Sequence, residues 1–293
     1  MTAHGAGTRA LRVLRTGPLT TVQDLGRPGR GALGIGRSGA ADRAAHRLAN
    51  ALVGNPPDAA TLEVTLGGLV VEAEGALDVA VAGARCPGAP HLTPVHLPAG
   101  ARLDLGVPPA GLRTYVAVRG GVDVTPVLGS RATDLLSGIG PPVVAAGDRL
   151  PVGARRGPFP GVDVAPVAEP AAGEVTVVVL PGPRPEVLDP AGWDVLTGSA
   201  WTVGADSNRI GVRLEGPALA LARRTGAEPP SEGMLRGAVQ VPPSGHPVVF
   251  LADHPVTGGY PVPGYVRDAD VDRCAQVRPG QRLRFRYATG RSG

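Results

Sequence analysis

Between Ser231 and Tyr260 the chain gathers a set of side chains that packing alone does not ask for. Ser231, Glu232, Gln240, Asp253, Thr257 and Tyr260 flank one apolar run, Val248–Ala252. A buried strand needs apolar residues bounded by turn formers, not this density of hydroxyl, carboxyl and amide groups. The run Thr257-Gly258-Gly259-Tyr260 has the strongest local claim to chemistry. Successive glycines let backbone N–H groups converge on an anion with no side chain to block close approach, although a tight turn uses Gly-Gly equally well. If the two flanking loops pack across Val248–Ala252, then Ser231, Glu232 and Gln240 face the same pocket. His254 follows Asp253 directly and could shuttle protons, but a satisfied loop histidine is the simpler reading.

A second candidate region lies near the N-terminus. Gly36-Arg-Ser38-Gly-Ala40 resembles a degenerate nucleophile elbow, yet no histidine sits where it could act as the base. The expected role of Ser38 is therefore a helix N-cap, with Asp42 in the first turn, where the helix dipole favours a carboxylate. Two overlapping GxGxxG matches run from Gly29 to Gly39. Pro28 precedes them, Glu63 falls mid-run, and no βαβ alternation follows, so they read as a loop whose amides face a ligand or partner rather than as a dinucleotide site. The six histidines form no HxH or HExxH pair, which argues against a histidine metal site. Arg282, Arg284 and Arg286 alternate with Leu283, Phe285 and Tyr287, a strand with one solvated basic face. Aromatics at 3% are too sparse for stacking on nucleic acid.

Composition narrows the classes further. All 29 basic residues counted as Lys or Arg are arginine. Without lysine there is no Walker A loop, Schiff base, Ser-Lys dyad or biotinylated lysine. Cys86 and Cys274 form no CxxC pair, so neither a disulfide framework nor a thiolate metal site is expected. No apolar run approaches the ~18 residues of a membrane span, and the N-terminus lacks secretory features. The expectation is a soluble cytoplasmic protein.

The elements that must position these residues are short. Gly 44 and Pro 32, about a quarter of the 293 residues, suit many strands joined by tight turns, and 43% hydrophobic content argues against disorder. Strands are expected over 62–71, 77–82, 102–107, 113–118, 174–180, 211–221, 248–252 and 281–287. Two helices are expected. Ser38 caps the first, which carries Ala41, Ala44, Ala45, Leu48 and Leu52 on one face, and Asp268 caps the second. Residues 1 to about 10 read as an unstructured lead-in. Residues 155–173, rich in Pro, Gly and Ala, read as a linker between domains at 11–155 and 173–288. The motif Gly-x-Arg-Leu recurs at Gly100, Gly147 and Gly280, a faint internal echo.

The segment from Ser231 to Gly280 resembles the signature of the C-type 5-oxoprolinase subunits, a family also called KipA-like or allophanate hydrolase subunit 2 and related to the carboxyltransferase region of urea carboxylase. Thr21-Val-Gln-Asp-Leu-Gly-Arg-Pro-Gly29, Ser38-Gly-Ala-Ala-Asp42, Ala49-Asn50, Val53-Gly-Asn-Pro56, Leu62-Glu-Val-Thr65, Gly120-Gly-Val-Asp123, Leu128-Gly-Ser-Arg131 and Ser207–Gly216 follow the family's order. Ala41 departs from it, since Met is usual there. The resemblance implies a mainly β protein of two cyclophilin-like β-barrel domains. It also implies a subunit of an ATP-dependent 5-oxoprolinase, active with B-type and A-type partner subunits on a small cyclic amide.

A five-membered lactam is stable, so ATP must first phosphorylate its carbonyl oxygen before water adds. That chemistry needs donors for phosphate oxygens, a carboxylate to activate water, and Mg²⁺. Gly258, Gly259 and Arg209 are candidates for the first role, and Asp253 or Glu232 for the second. Asp42 is carried as a further catalytic candidate. Ser38, Asn50, Ser231, Gln240, Thr257 and Tyr260 are carried as substrate- or nucleotide-binding candidates. Two alternatives stand beside this reading: a biotin-dependent carboxyltransferase half-domain, and a non-catalytic regulator that binds a kinase-inhibitor-like partner.

Overall fold

A computed structural model of the chain describes residues 9–221 and 231–288. The expected lead-in falls almost wholly outside the described residues. The structure is mainly β, and the chain divides into two compact units. One holds the residues up to Arg27, Asp42–Asp134 and Gly138–Pro170; the other holds Pro28–Ala41, Leu135–Ser137 and the residues from Ala171 onward. Beside the expected domains at 11–155 and 173–288, this division assigns two short pieces of the N-terminal half, Pro28–Ala41 and Leu135–Ser137, to the second unit. Those pieces include the Ser38 loop.

The first unit consists of two antiparallel sheets around a common core. The four-stranded sheet runs in the order Arg102–Asp104, Leu69–Glu74, Ala10–Thr16, Arg149–Pro151. The five-stranded sheet runs Leu19–Gln23, Thr61–Thr65, Arg113–Val118, Leu77–Gly83, Pro94–Leu97. Leu11, Val13, Leu69 and Val71 from the first meet Val22, Leu62, Val79 and Val116 from the second in one buried cluster. The segment read as a linker is tied down here. Arg119 Nη2 donates to Gly157 O at 2.7 Å and its guanidinium lies 4.9 Å from the Phe159 ring centroid. Ala165 N donates to Leu92 O at 2.9 Å.

The helix Arg43–Leu52 packs on this five-stranded sheet, and Asp42, not Ser38, caps it. The Asp42 carboxylate accepts from Ala45 N at 2.9 Å. Its buried face carries His46, Ala49 and Asn50 with Ala45 and Leu52, while Ala44 is exposed.

The second unit is a closed seven-stranded barrel in the order Val175–Pro181, Gly264–Val266, Ala238–Gln240, Val248–Phe250, Gly211–Glu215, Ala200–Val203, Arg282–Tyr287. Its closure is the parallel pairing of Val175–Pro181 with Arg282–Tyr287. Closure removes the edges at which a sheet would otherwise pair with other chains. Trp201, Phe285, Leu283, Val239, Val249 and Leu214 fill the core. The helix Asp268–Cys274 was expected, although its cap position is Arg267. The helix Pro190–Gly198 was not: its apolar residues Ala191, Trp193, Val195 and Leu196 do not gather on one face, but Asp189 caps it through Gly192 N at 2.7 Å and Pro190 opens it. A two-stranded ribbon, Glu232–Gly233 paired with Thr257–Gly258, stands apart from the barrel strands.

The Gly-x-Arg-Leu echo is a repeated local device. Gly100, Gly147 and Gly280 all have positive φ, and a strand begins at or beside the arginine in each case. No helix among the described residues is long and apolar enough to cross a membrane.

Candidate functional site

Two polar clusters lie within the second unit, and they divide the residues singled out from the sequence. The first is sealed. Asp253, just past the strand Val248–Phe250, is 2% exposed. Its Oδ2 accepts from Arg209 Nε at 2.9 Å and from Leu135 N at 3.2 Å. Its Oδ1 accepts from Arg209 Nη2 at 3.0 Å and from Ser38 Oγ at 2.6 Å. Arg209 Nη2 also reaches Gly39 O at 2.7 Å. A bidentate arginine pair with two further donors occupies the lone pairs of the carboxylate. Asp253 therefore holds the Ser38–Gly39 loop and the Leu135 segment in place, and this geometry does not suit the water-activating role expected of it. Arg209 is likewise spent on Asp253 and Gly39, not aimed at a phosphate.

Ser38 is buried with φ of 55°, a left-handed conformation that costs a non-glycine residue free energy. Its hydroxyl donates to Asp253 instead of capping a helix. That contact is to a carboxylate already paired with Arg209, not to a histidine.

The second cluster is open. Arg184, in the loop after Val175–Pro181, donates through Nε to Glu232 Oε1 at 2.7 Å and through Nη2 to the same oxygen. The two side chains are 24% and 30% exposed. This hydrogen bond holds the Arg184 guanidinium above its usual pKa. Glu232 Oε2 has no hydrogen-bond partner among the described residues. The ribbon register places Glu232 directly opposite Gly258 and Gly233 opposite Thr257. Opposed residues in an antiparallel pair project to one face.

At Gly258 that face is occupied: a Cβ there would lie 2.8 Å from Gln240 Nε2 and 3.2 Å from Met234 Cγ. Gly258 is thus glycine because the Gln240 amide passes over it. Neither Gly258 nor Gly259 has positive φ, so neither is glycine for the sake of a left-handed backbone. A Cβ on Gly259 would meet nothing nearer than Ser231 Oγ at 3.8 Å. Gln240 is 7% exposed, and among the described residues its Nε2 makes only long contacts, 3.5 Å to Tyr260 O and 3.9 Å to Met234 Sδ. Thr257 is exposed and the Tyr260 side chain is half-exposed. Ser231 lies exposed at the start of the ribbon. His254 is satisfied by Pro255 O at 2.8 Å and stacks on Phe250.

The remaining two candidates belong to the first unit and work structurally. Asp42 caps its helix, and its backbone N–H is donated to Tyr115 Oη at 2.8 Å. Tyr115 in turn donates to Glu63 at 2.7 Å, and burial raises its phenol pKa well above the usual value. Asn50 Nδ2 donates to Ala59 O at 2.8 Å while its Oδ1 accepts from Asn55 at 3.0 Å, which pins the turn after the helix. His46 beside it is desolvated, which lowers its pKa to about 4.

Of the three carboxylates expected to act, only Glu232 keeps an oxygen available. Sequence reasoning missed Arg184, whose Pro-Arg-Pro surroundings carry no motif and whose partner lies 48 residues away. The donors here do not match Mg²⁺, which wants an octahedron of oxygens. Glu232 and Asp253 each already face an arginine, and no group of three or more His, Cys, Asp or Glu among the described residues could hold a metal.

This fold and these motifs place the chain in a known class: it belongs to the carboxyltransferase domain, subdomain A and B, family, whose sequence profile matches residues 33–287. Within that class it is 42% identical over 284 residues to the C-type 5-oxoprolinase subunit of Escherichia coli K12, covering 94% of this chain and 90% of that protein. It is also 33% identical to the urea amidolyase of Lachancea kluyveri, but spans only 17% of that protein's length. The solved urea carboxylase of Kluyveromyces lactis superposes with a TM-score of 0.86 at 28% identity, over 97% of this chain and 28% of that one.

Proposed function

We propose that this chain is one subunit of a cytoplasmic, ATP-dependent 5-oxoprolinase that opens the lactam of 5-oxoproline to glutamate together with B-type and A-type subunits. The observation that carries the reading is the 42% identity to a C-type 5-oxoprolinase subunit across nearly the full length of both chains. The site chemistry supports a shared enzyme over a self-sufficient one. Asp253 and Arg209 are committed to one another, and Glu232 alone keeps an oxygen for chemistry. The nucleotide and its Mg²⁺ then bind on partner subunits, and no step on this chain is routed through them. This chain supplies Glu232, whose free Oε2 can take a proton from water as it adds to the activated carbonyl carbon, and the polar face around Gln240 to orient the ring.

The test is glutamate formed from 5-oxoproline and ATP with each subunit omitted in turn. Product is expected only from the complete mixture, and full activity from this chain alone overturns the shared site. A second reading, a carboxyltransferase module served by a separate biotin carrier, is favoured by the superposition on urea carboxylase. Carboxyl transfer from a carboxylated carrier, with no glutamate formed, would select it.

A further inference from the structure

We propose that Arg184 and Gln240 form a recognition site for a small carboxylate that also carries a ring amide, with Arg184 reading the carboxylate and Gln240 the amide. This rests on the reading above and names the residues that would give it specificity. Glu232 occupies only the Nε–Nη2 edge of the Arg184 guanidinium, and does so with a single oxygen. The edge shared by Nη1 and Nη2 is left for a second carboxylate, which a planar fork of donors can bind bidentately. No partner of Arg184 Nη1 is found among the described residues. Glu232 is then the positioning residue that fixes the fork.

Gln240 supplies the complementary half. It keeps only 7% exposure, yet its Nε2 contacts at 3.5 and 3.9 Å fall outside good hydrogen-bond geometry. A buried amide in that position gains most from a partner that satisfies it. A lactam is a cis amide, with N–H and C=O on the same side. It can therefore pair with a primary carboxamide through two hydrogen bonds, N–H to Oε1 and Nε2–H to the carbonyl. The ribbon register puts Glu232 and the missing Gly258 side chain on one face, and Gln240 Nε2 lies 2.8 Å from where that Cβ would be. Glycine at 258 therefore puts no side chain of its own over the amide on that face of the ribbon. In 5-oxoproline the carboxylate sits on the carbon next to the ring nitrogen, so one ligand presents both groups on adjoining atoms.

The experiment is ligand-observed NMR on the full chain, with 5-oxoproline and the carboxylate-free ring pyrrolidin-2-one as probes, alongside Arg184→Gln, Arg184→Lys and Gln240→Met. The wild-type chain is expected to bind 5-oxoproline at least about tenfold more tightly than pyrrolidin-2-one, the scale of one charge-assisted contact. Arg184→Gln should abolish that preference, Arg184→Lys should keep part of it, and Gln240→Met should weaken both probes together, all with unchanged melting temperatures. Absence of binding to wild type, or a preference that survives Arg184→Gln, overturns the proposal. Its failure is distinct from failure of the enzymatic reading. Binding that follows this pattern without any glutamate from the complete mixture sinks the reading alone. Glutamate formed with an unchanged KM by Arg184→Gln sinks the recognition site alone.

Discussion

The second unit contains two arginine–carboxylate pairs that look alike on paper and differ in every physical respect. Arg209 and Asp253 are at most 2% exposed, and the carboxylate accepts four hydrogen bonds from three separate stretches of chain. Arg184 and Glu232 are about a quarter to a third exposed, and one carboxylate oxygen takes both contacts. A signature carboxylate can thus be spent entirely on architecture. A buried charge survives only when every lone pair is answered, and a carboxylate so answered has no capacity left for a proton. Exposure leaves the other pair weak as a fastening and available for chemistry.

Removing one charge from each pair separates the two roles most strongly. Asp253→Asn leaves Arg209 buried without a counter-ion, which should cost about 3–5 kcal/mol of stability in the second unit. Glu232→Gln should leave the unfolding midpoint nearly unchanged while removing turnover from the reconstituted mixture. Denaturant titration read beside glutamate formation checks both. A stable Asp253→Asn chain that has lost only its activity would return Asp253 to the catalytic role.

The two glycines of the ribbon separate clearance from backbone conformation. Gly258→Val drives a side chain into Gln240 and Met234, both of them flexible, so the fold should survive with a modest loss in melting temperature. Activity should fall about 10²-fold, as expected when positioning groups are displaced. Equal losses of stability and activity would show that Gly258 serves the turn alone.

The first unit offers a control, a buried titrating group with no proposed chemistry. His46 has a folded pKa of about 4, below its unfolded value near 6.5, so the unfolded chain binds the extra proton first. Stability of that unit should be complete above about pH 6.5 and fall by on the order of 3 kcal/mol as the pH drops towards 4. His46→Gln should flatten the profile, as read by unfolding midpoints across that window. The smallest effect is expected from Gly259→Ala, which meets no atom within 3.8 Å and does not need positive φ. Near wild-type melting and turnover are the outcome that fits, and a large loss of turnover would restore the backbone role read for it from the sequence.

Much of this molecule was legible in its residues. Glycine and proline punctuation announced short strands, and most of the expected strands are present, shortened by a few residues where a run such as 211–221 leaves the ladder at Glu215. The ribbon and Gln240 fall inside the polar segment that first drew attention. Residue types alone could not rank its members. Ser38 followed by an apolar helical pattern has the form of an N-cap, but Asp42 four residues later takes that place and Ser38 turns to Asp253, 215 positions away.

The features readable without coordinates are those that depend on neighbours in the chain: the all-arginine basic set, the turn-rich β character, and an ordered series of motifs that marks the family. Which groups are spent and which are free emerged only in three dimensions. Folding of the second unit brings Arg209, Leu135 and Ser38 onto Asp253, and the ribbon that pairs Glu232 with Gly258 lays one carboxylate beside Arg184. Hydrogen bonds and desolvation act over distances of a few ångströms in space. A side chain's chemistry is therefore set by neighbours whose positions in the sequence carry no local sign of the meeting.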